Sequence, residues 1–492
     1  MLSLKSRFKQ LGKDSIVYGL SGVIARGLGF FLLPIYTRIF IPSDYGTIET
    51  LNLISSFLGS LLVMGMDSAQ SFYFFKEKEN GKDAQRRVIS GILQWRLSWG
   101  ILIVATAIFI SPLLNTFLFD SQLSWKYFAV GFIGTLITQV AMQSAEVYRL
   151  LYRPWSYIGI TVTNTIATAA LTLVFVILLN WGVFGFFVGN SVGSLIAALV
   201  GWWSVRGYLD WSQWHRDWWP KLVRFGAPLV PMGVSMYFLN TIGRWAINQY
   251  HGTDILGLYA VAAKFVALFA MVVTTFRQAW WPVAMDALNS DDGPQLFRTM
   301  GRLYLGFGAI GIVMLTFVSP WIIQFLTTPL YYSVYPVVGV LAWQPLFYGF
   351  NLISSGGMWK KEKTKWAPLG MALAIIINVA LAVLLVPRFE LIGAAIATSS
   401  AFLGWNIFSF TISERFWPMR YPFGVFALQI GIGVLAVTSI LLLFAQGQEI
   451  WKVIVATLIA SGLILVITVE RAHVRWLLEK LREQRFLFAG GK

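Results

Sequence analysis

The chain has 492 residues, of which 57% are hydrophobic and only 12% are charged. Soluble domains carry about 25% charged residues, so this composition excludes an ordinary water-soluble enzyme. The sequence has no cysteine and only three widely separated histidines, which excludes disulfide frameworks, thiol nucleophiles and cysteine-ligated metals. The net charge of +16 is compatible with binding to nucleic acid, binding to anionic lipid or membrane topology, until the positions of the charges are considered.

Long apolar runs, separated by charged or turn-forming breaks, predict an all-α, polytopic membrane protein with about fourteen spanning helices. A helix needs about 20 mostly apolar residues to cross the hydrocarbon core. The predicted spans are residues 15–40, 45–66, 88–112, 125–149, 156–180, 183–203, 225–250, 255–279, 299–320, 332–355, 366–386, 391–412, 422–445 and 450–469.

The basic residues support this topology, because Lys and Arg concentrate in short cytoplasmic connections. With the N-terminus inside, the outer connections and their borders hold only Lys126, Arg388 and Lys452 of the 38 basic residues. Most of the others fall in the inner connections. The net charge therefore reflects membrane topology, and we expect no nucleic-acid partner. An even number of spans places both termini in the cytoplasm.

A weak internal repeat appears when the first helical hairpin is shifted by 211 residues, so that 44–47 (DYGT) aligns with 255–258 (ILGL). Each copy has a long span, a tight glycine-containing turn and a second span. Repeated halves are typical of alternating-access transporters. We therefore predict two six-helix lobes, residues 1–204 and 222–412, followed by two appended helices within 413–469.

Two further segments are basic and amphipathic. Residues 205–221 are predicted to form a tryptophan-rich cytoplasmic linker, and 202–219 contain six tryptophans. Residues 470–492 are predicted to form a basic amphipathic cytoplasmic tail. Indole rings beside basic groups favour the headgroup region next to anionic lipid.

Charged residues at bilayer depth are the main candidates for a site, because each costs about 2.5–3.5 kcal/mol at a helix centre. Counting about 1.5 Å per residue places Arg26 near mid-membrane and Lys264 somewhat outside the middle. Arg96 falls in the inner half of its span and Arg244 in the outer half. The clearly deep carboxylate is Glu49, so the interior has an excess of positive charge. Such an excess favours an anionic substrate.

Other charged residues are expected near the ends of spans. Arg38 can extend its side chain to the headgroups, and it can also pair with Glu49 across the tight outer turn. Asp67, Glu146 and Asp286 fall at inner ends, where we expect water to solvate them.

The N-terminal region resembles a known family of transporters. The resemblance lies in segments 11–15 (LGKDS), 19–22 (GLSG), 33–38 (LPIYTR), 43–46 (SDYG) and 65–69 (GMDSA). These segments, together with the predicted topology, are similar to Wzx-type polysaccharide flippases of the multidrug/oligosaccharidyl-lipid/polysaccharide exporter superfamily. The resemblance implies a non-enzymatic flippase of a bacterial plasma membrane. It would export an undecaprenyl-pyrophosphate-linked oligosaccharide from the inner to the outer leaflet by rocking of two lobes.

A pyrophosphate diester carries about two negative charges, whose desolvation in hydrocarbon is very costly. We therefore expect Arg26 and Lys264, together with Arg244 and Arg96, to bind the pyrophosphate. Glu49 and Arg38 are the predicted coupling or gating residues. No cofactor is expected beyond a proton or sodium ion that drives transport. The expected partners are the lipid-linked glycan, membrane lipids and polysaccharide polymerase or assembly proteins.

Three alternatives remain open at this stage. A lipid II flippase would share the substrate chemistry, and a multidrug antiporter of the same superfamily would share the fold. Multidrug antiporters usually need deep carboxylates, and the clearly deep carboxylate in this sequence is Glu49. A membrane glycan polymerase or ligase would process related lipids, but the predicted outer loops are too short for its catalytic groups.

Overall fold

A computed structural model of the chain describes residues 27–469, apart from 120, 211, 213, 289 and 364. Arg26, the start of the first predicted span and the predicted tail at 470–492 lie outside the described residues. The chain divides into two compact units between Ala260 and Val261. No β-strand occurs within the described part.

The helices of the first unit follow the predicted spans. They are α1 (Leu33–Ile39), α2 (Pro42–Val63), α3 (Met66–Lys76), α4 (Lys82–Phe109), α5 (Ser111–Phe119), α6 (Trp125–Leu150), α7 (Pro154–Leu173), α8 (Gly182–Val205), α9 (Trp218–Gly226) and the first part of α10 (Val230–Ala287).

The second unit contains the rest of α10 and seven further helices. These are α11 (Gly293–Leu326), α12 (Tyr335–Leu341), α13 (Trp343–Ser354), α14 (Gly356–Lys360), α15 (Trp366–Phe416), α16 (Phe423–Ala445) and α17 (Ile450–Thr468). Helices dominate because hydrocarbon offers no partner to backbone N–H and C=O groups, which must therefore bond within each segment.

Eleven helices of the described part are long and apolar enough to cross a membrane. Two of these stretches, Gly233–Ala287 and Trp366–Phe416, have 55 and 51 residues, enough for two crossings each. Each contains a break in helical geometry, at Gly252 and Glu390 respectively. Both breaks fall between two predicted spans. A shorter apolar helix, Gly27–Ile39, covers the described part of the first predicted span. The count of fourteen stays a prediction.

The appended helices α16 and α17 pack against α11 in the second unit. The buried side chain of Arg302 on α11 donates from Nε to the carbonyl of Ile467 at 2.8 Å. Gln429 on α16 donates to the carbonyl of Arg302 at 3.0 Å and to Oγ1 of Thr468 at 2.9 Å. A cation is favourable at the C-terminal carbonyls of a helix, so these bonds fix the end of α17.

The predicted linker 205–221 packs on α4 in the first unit. The backbone N–H of Asp210 donates to Oγ of Ser90 at 2.6 Å, and that of His215 donates to Oε1 of Gln94 at 2.8 Å. Nε2 of His215 lies 3.1 Å from the Asp210 carboxylate, and hydrogen bonds from Ser212 lower the pKa of that carboxyl below its usual range. These contacts hold the linker against the helices of the first unit.

Basic groups of this segment lie over exposed or half-buried indole rings. The guanidinium of Arg206 is 3.6 Å from the ring centre of Trp203, whose side chain is exposed. The ammonium of Lys221 is 4.7 Å from the ring centre of Trp218. Aromatic rings paired with cations are typical of the headgroup region, and the position of the segment there stays a prediction.

The glycines of the internal repeat meet within the first unit. A Cβ atom on Gly46 would lie 1.7 Å from the carbonyl oxygen of Thr253, and one on Gly257 would lie 1.8 Å from that of Pro42. Both obstacles are backbone atoms, which cannot rotate away. Only glycine therefore permits the start of α2 and this part of α10 to come so close.

We expect Gly257→Ala to lower the free energy of unfolding by about 1–3 kcal/mol, because its methyl group would collide with the backbone at Pro42. Thermal unfolding of the detergent-solubilised protein measures this loss. Gly159→Ala on α7 is the matched control, since its Cβ would meet no heavy atom within 4 Å. Equal melting temperatures for the two variants would contradict the close approach.

Candidate functional site

Polar residues recur along one side of the otherwise apolar helix α2. Glu49, Asn52, Ser56 and Ser60 follow one another at intervals of three or four residues. This spacing places them on the same face of a helix. Apolar side chains on the other faces of the helix are buried, including those of Leu51, Leu58 and Leu62.

This polar face lines a cavity of about 680 Å³ within the first unit. We call it the polar cavity. It is bounded by α2, α6 and the start of α10, and its polar lining includes Asn52, Ser55, Ser56, Ser60, Thr135 and Gln139. Thr135 and Gln139 lie near the midpoint of α6, which has 26 residues and is long enough to span the bilayer. The polar cavity therefore lies at mid-membrane depth.

A smaller cavity of about 220 Å³ shares Asn52, Ser55 and Thr135 with the polar cavity. It adds Asn190 and Phe186 from α8. Among the described residues that line the two cavities, none is charged. Neutral hydrogen-bonding groups thus line these cavities within an otherwise apolar bundle.

Some of these groups are already hydrogen-bonded and others are not. Oγ1 of Thr135 donates to the carbonyl of Gly131 at 2.8 Å, one turn earlier in α6. In contrast, the side chains of Asn52, Ser56 and Gln139 have no hydrogen bond to any described residue, and Oγ of Ser55 is buried without a partner there. A buried polar group normally has a partner, so Oγ of Ser55 is available to a ligand or to water. Ser56 is exposed and Asn52 and Gln139 are half-buried, so a ligand or water can also reach these side chains.

One ion pair lies next to the polar cavity, a single turn from Asn52. The guanidinium of Arg244 on α10 is 2.7 Å from Oε1 of Glu49, and both side chains are mostly buried. The hydroxyl of Tyr237 donates to the carbonyl of Leu53 at 2.7 Å, which also joins α10 to α2. The charge of Arg244 is compensated by this carboxylate.

A second ion pair lies beyond the other end of α2. Nη2 of Arg96 on α4 is 2.6 Å from Oδ1 of Asp67 on α3, and the Arg96 side chain is only 1% exposed. Nη1 of Arg96 also donates to the carbonyl of Gln139 at 2.9 Å. Arg96 is therefore fully buried and bonded to the same residue that lines the polar cavity.

The two pairs correct the sequence interpretation in two respects. Glu49 pairs with Arg244 and not with Arg38, whose residue is exposed. Asp67, expected to be solvated, is only 44% exposed and bonds Arg96, because the chain turns at Met64 and Gly65 and starts a new helix at Met66.

The structure brings together only part of the predicted site. Arg96, Arg244 and Glu49 lie in the first unit, next to the polar cavity. Lys264 is exposed and lies on the part of α10 that belongs to the second unit. Arg26 lies outside the described residues. The roles assigned to these residues stay predictions.

Sequence reasoning missed the neutral residues of the polar cavity and the role of Asp67. The available signal was the recurrence of Asn52, Ser56 and Ser60 every three or four residues in an apolar span. Single hydroxyl groups are common in membrane helices, where they bond the preceding turn, so each residue taken alone carried little information.

Comparisons with known proteins give a family and a fold. Residues 11–287 match the family model described as polysaccharide biosynthesis protein. No curated protein matches the chain. Among solved structures, the chain is similar to the lipid II flippase MurJ in an inward closed conformation, with 15% identity, a TM-score of 0.71, and coverage of 92% of this chain and 98% of that one.

The chain is also similar to a multidrug resistance MATE family transporter of the MOP superfamily. Its inward-facing conformation aligns with a TM-score of 0.61 and 13% identity over 82% of this chain and 95% of that one. The outward-facing conformation aligns with a TM-score of 0.60 and 15% identity, over 83% of this chain and 95% of that one. These likenesses confirm the predicted all-α membrane fold, and the proteins that share it in these comparisons are a flippase and a transporter.

We expect Asp67→Asn to lower the free energy of unfolding by about 3 kcal/mol, because it leaves the buried Arg96 charge without its carboxylate. The exposed pair of Asp83 and Arg86, 3.3 Å apart, offers a matched control. Asp83→Asn should cost less than about 1 kcal/mol. Thermal or denaturant unfolding in detergent compares the two, and similar small losses would show that Arg96 does not depend on Asp67.

Proposed function

Because the chain belongs to the polysaccharide biosynthesis protein family, we propose that it is a flippase for an undecaprenyl-pyrophosphate-linked oligosaccharide. It moves this lipid by alternating access from the inner to the outer leaflet of a bacterial plasma membrane, with both of its termini in the cytoplasm. Polysaccharide polymerase and assembly proteins would receive the exported glycan.

The observation that carries this proposal is the polar cavity at mid-membrane depth. Its lining residues, from Asn52 to Val234, all fall within the part of the chain that matches the family. Polar head groups cannot cross hydrocarbon unaided, because their hydrogen bonds to water would be lost without replacement. A cavity with free hydroxyl and amide groups replaces those bonds, while the polyprenyl chain remains in lipid.

Cationic residues would bind the pyrophosphate. We assign the first contacts to Arg26 and Lys264, because Arg244 and Arg96 are engaged by Glu49 and Asp67. Arginine can bind phosphate through two parallel hydrogen bonds, so Arg244 and Arg96 would join once their carboxylates release them. The appended helices α16 and α17 would guide the polyprenyl tail.

The pair of Glu49 and Arg244 would act as the gate that couples transport to an ion gradient, with Arg38 at the outer end of the path. Protonation of Glu49 removes its negative charge and releases Arg244, so we assign the proton as the coupling ion. Sodium would act differently, by binding to the ionised carboxylate.

A lipid II flippase is the second candidate function, supported by the likeness in fold to MurJ. The pyrophosphate of lipid II would bind the same cations, and its polyprenyl chain would likewise remain in lipid. The peptide of lipid II distinguishes the two candidates, since the polar cavity has no charged lining to bind ionised peptide groups.

Transport into proteoliposomes tests the proposed function and its cationic residues. The probe is the lipid-linked oligosaccharide that accumulates in a strain lacking this gene, and a glycosidase that acts on one leaflet reads its movement. We expect Arg26→Ala and Lys264→Ala each to reduce the initial rate at least about tenfold, a loss of about 1.4 kcal/mol in transition-state stabilisation.

Lys126→Ala is the matched control, because Lys126 is basic and exposed and lies outside the polar cavity. Full transport by both Arg26→Ala and Lys264→Ala would contradict the assignment of these residues to the pyrophosphate. Transport of lipid II in preference to the oligosaccharide would favour the second candidate.

We expect Glu49→Gln to abolish the response of transport to an imposed proton gradient, because glutamine cannot take up or release the proton. The measurement compares initial rates in proteoliposomes with and without a pH difference. Glu79→Gln, in an exposed inner connection, should keep the response of the unmodified protein. A Glu49→Gln variant that still responds fully would place coupling at another residue.

A further inference from the structure

We propose that the polar cavity binds uncharged, hydroxyl-rich sugar residues and excludes the pyrophosphate, which is bound elsewhere. This inference rests on the proposed function and adds to it a specific subsite for the glycan. It assigns recognition of the sugars to α2 and α6 of the first unit, through Asn52, Ser56 and Gln139.

The lining of the polar cavity matches this chemistry. An amide side chain offers both donors and an acceptor, and a serine hydroxyl can act as either. A sugar hydroxyl has the same dual character, so it can bond these groups in several orientations. An ionised phosphate would find no cation in the lining, and an ionised amine would find no carboxylate. Either charge would be buried there without compensation.

The unpaired groups point to a ligand that both donates and accepts. Asn52, Ser56 and Gln139 lack hydrogen bonds within the described residues, although other polar residues nearby are bonded. The volume of about 680 Å³ lies in the range of small-ligand pockets, about 300–1,000 Å³. Ligand pockets are predominantly hydrophobic and carry a few polar groups that orient the ligand. In the polar cavity, Asn52, Ser56 and Gln139 are such groups, so they indicate a ligand with polar atoms.

Apolar surfaces complete the subsite. Val63, Val230 and Val234 contribute hydrocarbon surface to the polar cavity, and Phe186 contributes an aromatic ring to the smaller adjoining cavity. A sugar ring has hydroxyl groups around its edge and C–H groups on its faces. It can therefore contact the amides through its edge and the apolar side chains through a face.

The neighbouring ion pairs explain why the polar cavity can stay neutral. The carboxylate of Glu49 neutralises the charge of Arg244 near one end of α2, and that of Asp67 neutralises the charge of Arg96 beyond the other end. Arg96 also bonds the backbone of Gln139, which fixes the position of that residue while its amide remains free. The pairs thus support the walls without contributing a net charge to the lining.

The absence of cysteine from the chain makes a direct test possible. Ser56→Cys introduces a single thiol into the polar cavity with little change in shape, and Asn80→Cys introduces one into an exposed inner connection. The rate of reaction with a maleimide is measured in proteoliposomes. The two probes are undecaprenyl pyrophosphate and the lipid-linked oligosaccharide from the strain lacking this gene.

We expect the lipid-linked oligosaccharide to slow labelling of Ser56→Cys at least about tenfold, whereas undecaprenyl pyrophosphate leaves it unchanged. Neither probe should affect Asn80→Cys. Equal protection by the two lipids would overturn the sugar assignment, because the glycan would then contribute nothing. Transport of the oligosaccharide by Ser56→Cys without protection would also overturn it, while leaving the proposed function intact.

A second variant separates hydrogen bonding from shape. Asn52→Leu keeps the size of the side chain and removes its amide, so it should weaken binding of the lipid-linked oligosaccharide about tenfold and leave binding of undecaprenyl pyrophosphate unchanged. Asn80→Leu is the control.

If the unmodified protein neither transports nor binds the oligosaccharide, the proposed function itself fails, and the sugar subsite fails with it.

Discussion

The pairing of charge inside hydrocarbon is the constraint on which the first unit depends. Arg96 is almost completely buried, and Arg244 is largely so, yet each lies within hydrogen-bond distance of a carboxylate. Without Asp67 and Glu49, both cations would face the full cost of desolvation. The pairs also connect α4 to α3 and α10 to α2, so the same contacts that neutralise charge hold the helices around the polar cavity.

Under the proposed function, this constraint separates two tasks that a lipid-linked glycan would impose on its carrier. The pyrophosphate needs cations, whereas the sugars need many neutral donors and acceptors. In the first unit, the cations Arg96 and Arg244 are engaged by carboxylates beside the polar cavity, and the hydroxyl and amide groups line it.

Much of the fold could be predicted from the sequence, because hydrophobic length is a strong signal. The breaks at Gly252 and Glu390 fall where charged or turn-forming residues separate two apolar runs. Counting residues along a helix also placed Glu49 and Arg96 within long apolar helices, where the structure has them. It did not predict their partners, since residue counting gives a position along the helix but no rotation about its axis. Asp67 was further obscured by the turn at Met64 and Gly65, which changes the direction of the chain. The polar cavity was missed because its residues carry no charge.

The residues that line the polar cavity all come from one stretch of chain, between Asn52 and Val234. A contiguous stretch can be inherited as a block. If the polar cavity binds the sugars as proposed, recombination between related genes would transfer the choice of glycan together with this segment, while the rest of the chain is retained. Divergence of polysaccharides among strains would then require exchange of one gene fragment instead of coordinated change along the whole protein.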